Sequence, residues 1–454
     1  MQLKKLRINF STTQMIMLSF LTAILAGSAL LSLPVSSADG KSVPYLDALF
    51  TATTSICVTG LVTLPVYSTW SIFGQIIILI MIQVGGLGIV TILSGILISF
   101  NRRLGLKDRI LVQDAFNLNS LSGIVKFLRR VLAGTFIAEG FGALLYMTVF
   151  IPEYGWRGIW ISLFNSVSAF CNAGIDIMSD NSLCSYAQNP VVNLATSLMV
   201  IMGGIGYVVW WDVIKISKLF PKKKLKSLSS LSLHSKLALT TTAILLAAGT
   251  FGYFVFEFNN PQTIKDMSLF DKLQVSFFQS MTTRTAGFAS VPQQDLTNAS
   301  SILSLFLMFI GGSPVGTAGG VKTVTMAVLL SSAMAAIKNK DEVSLFRRRI
   351  SRQAISKAVA VVTVSFMIMF ISTILLSAVT DAKTIDVAYE TVSATATVGL
   401  TRNLTPALNR WGKIIIIVTM YLGRVGPISL LIAFNVKKKK NNIIKDPVEN
   451  ISIG

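Results

Sequence analysis

The sequence predicts an all-α integral membrane fold of four tandem repeats, each a pair of spanning helices flanking a short re-entrant one. Three observations predict it. The 454 residues are 52% hydrophobic and only 13% charged, and a soluble protein carries about twice that charged share. Eight apolar stretches reach the ~20 residues a helix needs to cross the hydrocarbon. A glycine-bearing motif recurs four times, at intervals of 114, 113 and 112 residues.

The spanning stretches lie near 13–34, 71–100, 126–151, 190–219, 235–257, 300–337, 354–380 and 411–436. Within each consecutive pair sits a shorter, less apolar segment, at 44–56, 158–170, 268–282 and 384–395. At ~12–15 residues these are too short to span and suit re-entrant helices. They read YLDALFTATTSICVTGL, IWISLFNSVSAFCNAGI, LQVSFFQSMTTRTAGFA and DVAYETVSATATVGLTR. Each carries one glycine in a run of small residues: Gly60, Gly174, Gly287 and Gly399. A second cluster follows 25, 29, 24 and 24 residues later: GGLG from Gly85, GGIG from Gly203, GGSPVG from Gly311 and GRVG from Gly423. Two features recurring in step mark an internal repeat. Their common order makes the repeats parallel, around an axis along the membrane normal. The divisions are 1–110, 111–228, 229–345 and 346–454, the third holding a glycine-rich loop at 311–323 and the fourth ending in a basic tail.

The net charge of +20 suits either nucleic-acid binding or an excess of cytoplasmic positive charge, and position decides between them. Lys4, Lys5 and Arg7, seven cations in each of the three joints between repeats, and five in the tail, Lys437 to Lys440 among them, make 29 of the 40. The re-entrant sides hold nine. Both termini and the joints are therefore expected in the cytoplasm of a multi-pass protein, with the re-entrant loops entering from outside. No nucleic-acid module stands in the sequence, so nucleic acid is not an expected partner. The N-terminal apolar run reads as the first membrane helix and not as a cleaved signal. Cys57, Cys171 and Cys184 form no disulfide framework and no metal-ligand spacing. With one histidine and no nucleophile motif, an enzyme is not expected.

Backbone outside a helix is tolerated at membrane depth only where it lines water or is buried in protein. The runs CVTG, CNAG, RTAG and TVGL combine glycine with small or β-branched residues, and glycine lets successive carbonyls turn toward one axis. Four such loops can replace a cation's water shell with carbonyl oxygens. Each short helix points its negative dipole end at that axis, which favours a cation. The competing reading, that the glycines only allow close helix packing, does not account for all four following a re-entrant segment. The units are thus helix–pore-loop–helix repeats around one central pore.

These residues resemble the TrkH/Ktr/HKT superfamily of potassium transporters, whose members carry one filter glycine in each of four repeats. The resemblance covers essentially the whole chain, and eight spans without an additional N-terminal pair look like the KtrB-type members. It implies potassium as the transported ion, held at filter carbonyls of Val58, Thr59 and Gly60, of Asn172, Ala173 and Gly174, of Thr285, Ala286 and Gly287, and of Thr397, Val398 and Gly399. Glycine at all four positions is similar to the potassium-selective members; sodium-selecting plant relatives have serine where this chain has Gly60. The resemblance further implies a bacterial plasma membrane, a homodimer, and a cytoplasmic ring of regulatory nucleotide-binding, KtrA-like subunits. It implies sodium as an activating ion and no covalently bound cofactor. This chain has no G-x-G-x-x-G in a βαβ setting, so a nucleotide would bind the partner. The basic joints suit that ring or anionic lipid.

The sixth span contains GGSPVGTAGGVKT, residues 311–323. A continuous helix there is costly, since glycine loses ~1 and proline ~3 kcal/mol relative to alanine, so a broken helix is expected. In the family the loop at this place is the intramembrane gate. The resemblance carries that role to Gly311, Gly312, Ser313, Pro314, Val315, Gly316, Thr317, Ala318, Gly319 and Gly320, with Lys322 closing the loop. Val315 departs from the small residue common there. Arg424, in YLGRVGP, matches the family's arginine below the filter, an electrostatic barrier and partner of the loop. An unpaired charge at mid-membrane costs ~2.5–3.5 kcal/mol, so a structural ion pair or a bond to loop carbonyls is the alternative reading, and both roles can hold together. For Lys322 the alternative is snorkelling to the cytoplasmic interface. Glu139 in the third span reads as a proton site or a buried carboxylic acid. Asp47, Gln279 and Glu390 are expected to brace filters, and Asp176 to draw cations to the mouth or merely to be solvated. Arg284 is expected to point away from the pore and anchor its loop, and His234 has no role assigned.

Overall fold

A computed structural model describes residues 11–100, 105–116, 122–179, 181–218, 230–340 and 342–426. The cations Lys4, Lys5 and Arg7, the basic tail with Lys437 to Lys440, and the far end of the eighth stretch lie outside them. Seventeen α-helices are found among the described residues. The first repeat has α1 (Thr12–Leu31), α2 (Tyr45–Cys57), α3 (Val66–Thr69), α4 (Ile72–Leu87) and α5 (Ile89–Ser99), and α6 (Leu106–Ala115) crosses the division at 110. The second has α7 (Ile124–Tyr154), α8 (Arg157–Cys171), α9 (Pro190–Ile205) and α10 (Tyr207–Ser217). The third has α11 (Leu233–Glu257), α12 (Leu269–Thr282), α13 (Asn298–Phe309) and α14 (Thr323–Ile337). The fourth has α15 (Arg352–Val379), α16 (Thr384–Ala396) and α17 (Arg410–Val425).

In each repeat a leading helix (α1, α7, α11, α15) is followed by a re-entrant helix (α2, α8, α12, α16) and a trailing helix. Local capping chemistry places the starts. The trailing helices begin at Ser71, Asn189, Thr297 and Asn409, whose side chains accept from Gly74, Val191, Ser300 and Gly412 backbone N–H groups. Such caps contribute ~1 kcal/mol each. The leading helices are long and apolar enough to cross a membrane. They expose large apolar side chains outward, among them Leu18, Leu25, Phe136, Ile137, Ile244, Phe251, Phe366 and Phe370. That is the surface lipid covers.

The trailing helices depart from the sequence expectation. The stretches 71–100 and 190–219 read as unbroken spans, yet each is a pair bent by 97° at Gly88 and 101° at Gly206. The sixteen residues before each bend rise ~24 Å, less than the ~30 Å hydrocarbon. In the third repeat the break widens into the loop 310–322 between α13 and α14. In the fourth, α17 stops at Gly426, which has φ +86. One element is not helical: a small hairpin pairs Ser344 with Arg349 and Leu345 with Arg348 in the joint between the third and fourth repeats.

Polar contacts join leading to trailing helices at matching heights. Tyr146 meets Thr196 at 2.6 Å, Tyr253 meets Ser304 at 2.7 Å, and Ser372 meets Thr419 at 2.8 Å. In an apolar surrounding such bonds are a principal means of holding helices together. The repeats then close on themselves. Trailing α4 packs on re-entrant α8, α9 on α12, α13 on α16, and α17 on α2. Each trailing helix therefore leans on the re-entrant helix of the next repeat, and the fourth returns to the first.

Candidate functional site

The re-entrant helices end where the chain leaves helical geometry. Val58, Asn172, Thr285 and Thr397, each two residues before a filter glycine, have φ of 54°, 59°, 66° and 51°. Non-glycine residues visit this left-handed region uncommonly, and here it recurs at one position in all four repeats. Gly60 and Gly399 follow at φ 100° and 98°, where a side chain is strained. All twelve residues from Val58 to Gly60, Asn172 to Gly174, Thr285 to Gly287 and Thr397 to Gly399 are buried.

The glycines meet one another around a ring. A Cβ on Gly60 would lie 2.5 Å from the Ala173 carbonyl oxygen, one on Gly174 2.6 Å from that of Ala286, and one on Gly287 2.6 Å from that of Val398. A Cβ on Gly399 would overlap the Thr59 carbonyl. Each strand thus touches the next in chain order, and the fourth touches the first. A vestibule of about 330 Å³ lies over this ring, with all four glycines, Thr63, Asp176, Gln293 and Thr401 in its wall. Asp176 accepts from the Met178 N–H at 3.1 Å there.

Side-chain hydroxyls clamp the strands, and the sequence reading overlooked them. Thr54 accepts from the Gly60 N–H at 2.9 Å, Ser393 from that of Gly399 at 3.0 Å, and Ser168 from that of Ile175 at 3.1 Å. The signal was available: each stands six residues before its filter glycine. In the third repeat Met281 takes that place, and Thr282 instead donates to the Phe288 carbonyl at 2.5 Å. The three acids and amides expected to brace the filters make hydrogen bonds or ion pairs, but none with a filter residue. Glu390 accepts from the Thr401 and Thr405 hydroxyls beyond the fourth filter. Gln279 and Gln293 exchange bonds, and Tyr389 donates to Gln293 at 2.9 Å. Asp47 pairs with Lys413 at 2.6 Å, fastening the first re-entrant helix to the fourth repeat.

Below the ring the four-fold pattern ends. The loop from Ile310 to Lys322 crosses to the second repeat, where Ser313 and Thr317 N–H groups donate to the Gly204 and Gly203 carbonyls at 2.8 and 3.1 Å. The Thr317 hydroxyl donates to the Phe170 carbonyl at 3.0 Å, in the last turn of α8. Pro314 backs onto the bend at Gly206, and Val315, with φ +63, accepts from the Tyr207 N–H. Gly319 passes so close to Thr397 that a Cβ there would overlap its hydroxyl. The loop therefore lies directly beneath the fourth filter strand.

Arg424 reaches the loop from the fourth repeat. It donates to the Thr317 carbonyl at 2.7 Å and to that of Gly85 at 2.6 Å. The bond to loop carbonyls is present in the structure, and none of the ion pairs among the described residues includes Arg424. Lys322 turns its ammonium onto the Ala318 carbonyl at 2.5 Å, inside the loop instead of along the helix toward the interface. Arg284 points toward α11, donating to the Thr242 carbonyl at 3.1 Å, and to Gly311 at 3.4 Å. Glu139 is 3% exposed and accepts from Gln83 at 3.1 Å. His234 lies half-buried in the first turn of α11.

Four re-entrant strands closed into one ring, set among membrane helices, define a pore protein of the cation-transporting class. The chain belongs to the TrkH family, described as cation transport protein, whose model matches residues 3–445. It is 38% identical over 437 residues to the Ktr system potassium uptake protein B of Bacillus subtilis, covering 96% of this chain and 95% of that one. It is 37% identical over 457 residues to the potassium/sodium uptake protein NtpJ of Enterococcus hirae, covering 99% of each. Its fold is similar to the crystal structure of the potassium transporter TrkH from Vibrio parahaemolyticus, with TM-score 0.75 and 17% identity over 96% of this chain and 87% of the other.

Proposed function

We propose that the chain is a potassium uptake pore of the bacterial plasma membrane, with both termini cytoplasmic. The observation that carries the reading is the ring in which each filter glycine abuts the carbonyl strand of the next repeat. Carbonyl oxygens from four strands form the kind of cage that exchanges for a cation's water. In this reading the twelve filter residues bind potassium, and the loop from Gly311 to Gly320, with Lys322 and Arg424, is the gate. The relatives' names support potassium, and three of them name a Ktr system. We read that as a homodimer on a cytoplasmic ring of nucleotide-binding, KtrA-like subunits.

Sodium has its own support, because the relative from Enterococcus hirae is named for potassium and sodium. Sodium then acts as an activating or co-transported ion. Growth of a potassium-uptake-deficient bacterium at micromolar potassium tests the whole reading. Expression of this chain, with or without a Ktr regulatory subunit, rescues growth if it holds. No rescue with the protein present in the membrane overturns it. Varying sodium in the same medium reads the second ion.

A further inference from the structure

The residue three before each filter glycine is Cys57, Cys171, Arg284 and Ala396. The residue one beyond the first glycine of the second cluster is Gly86, Gly204, Gly312 and Arg424. Each series has one arginine among small side chains, and both arginines hold the same loop. Arg424 takes the Thr317 carbonyl in its middle. Arg284 takes the Gly311 carbonyl at its start, while a second nitrogen grips the Thr242 carbonyl of α11. A charge stands at the first position only in the repeat that has the loop.

Arg284 is 7% exposed, and none of the ion pairs among the described residues includes it. Burying a cation with neutral partners alone is costly, and three hydrogen bonds, two to Thr242 and one to Gly311, offset that cost here. The next residue, Thr285, begins the third filter strand. The guanidinium therefore spans the short gap between filter, leading helix and loop hinge. A small crevice of about 20 Å³ lies between Thr242, Arg284, Gly312 and Gly204.

We propose that Arg284 is a second positioning residue of the gate, holding the loop's hinge at Gly311 as Arg424 holds its middle at Thr317. This rests on the reading of the loop as a gate. The hinge bond must break before residues 311–320 can swing clear, so the loop has two separate fastenings.

Rubidium influx into potassium-loaded proteoliposomes tests it with four chains: native, Arg284→Gln, a chain trimmed of residues 313–319, and the two changes combined. Arg284→Gln is expected to raise influx roughly tenfold, as loss of one hydrogen bond from a charged group would. In the trimmed chain the same substitution is expected to add nothing. Arg284→Lys, which keeps the charge but not the fork, is expected to fall between, and carries the comparison if the glutamine variant does not assemble. Native influx for Arg284→Gln alongside raised influx for the trimmed chain overturns the proposal and leaves the gate reading standing. An equal rise in both backgrounds places Arg284 in the filter and also overturns it. Native influx from the trimmed chain overturns the gate reading itself.

Discussion

The Arg424 guanidinium donates to the Thr317 carbonyl at 2.7 Å, and so ties the fourth trailing helix to the middle of the loop in the third repeat. Its second nitrogen takes the Gly85 carbonyl at 2.6 Å, in the first repeat. One side chain thus joins three of the four repeats below the filter. Arg424→Ala removes both bonds and the charge. Charged hydrogen bonds are worth about 1.5–3 kcal/mol each, so, with the loop read as the gate, opening is expected to become at least tenfold easier. Rubidium influx into proteoliposomes checks this; influx no higher than native in a monodisperse sample would count against the latch.

Thr317 offers a milder test. Its hydroxyl donates to the Phe170 carbonyl at 3.0 Å, while its backbone bonds to Gly203 and Arg424 involve no side-chain atom of its own. Thr317→Val keeps the shape and loses only the hydroxyl bond. A loss of about 1 kcal/mol is expected to raise influx roughly fivefold, below the effect of Arg424→Ala. Stopped-flow or isotope flux at equal protein density decides the order.

Val315 has φ +63, and a β-branched residue is strained in that region by about 1–2 kcal/mol. Glycine there relieves the strain of the observed conformation but loosens the released loop by about 0.5–1 kcal/mol. The balance favours the observed state, so Val315→Gly is expected to lower influx about twofold to threefold. A rise instead would show that the loop's freedom outweighs its strain.

Gly60 has φ 100°, and a Cβ there would stand 2.5 Å from the Ala173 oxygen. Gly60→Ser must therefore spread the first and second strands. Potassium preference over sodium is expected to fall about tenfold or more, with the chain also less heat-stable. Competition of sodium against rubidium influx measures the first, and a thermal melt in detergent the second. Unchanged competition would remove the filter from this position.

The pair Asp47–Lys413, at 2.6 Å, closes the circle from the fourth repeat to the first. Removing one partner of a largely buried pair costs more than its net worth. Asp47→Asn is expected to lower the melting temperature by several degrees while leaving ion preference near native. Asp47→Asn with Lys413→Met is expected to recover much of the loss, since no unpaired charge remains.

How much of this was legible in the sequence differed by layer. Re-entrant helices are expected at 44–56 and 384–395 and stand at Tyr45–Cys57 and Thr384–Ala396, because a glycine in a run of small residues marks their ends. The bends at Gly88 and Gly206 were not read. A thirty-residue apolar run has the same composition whether it runs straight or turns, and a bending glycine looks like a packing glycine. The clamp hydroxyls of Thr54, Ser168 and Ser393 were in plain view at constant spacing, but serine and threonine are common in membrane helices. The direction of Lys322 depends on whether the loop offers a carbonyl, which no local pattern encodes.

The right-angle bends also bear on driving force. Past Gly88 and Gly206 the chain runs across the direction of α4 and α9 instead of continuing along it. If the ring and the loop beneath it are the ion path, they are its narrowest protein-lined stretch. A membrane voltage falls mostly where the path is narrow and dry, so most of it would act across that short stretch. A potential of 100 mV is worth about 2.3 kcal/mol to a monovalent ion, roughly a fiftyfold accumulation. Delivered over a few ångströms, it would make inward movement steeply sensitive to voltage if the loop is a gate that opens.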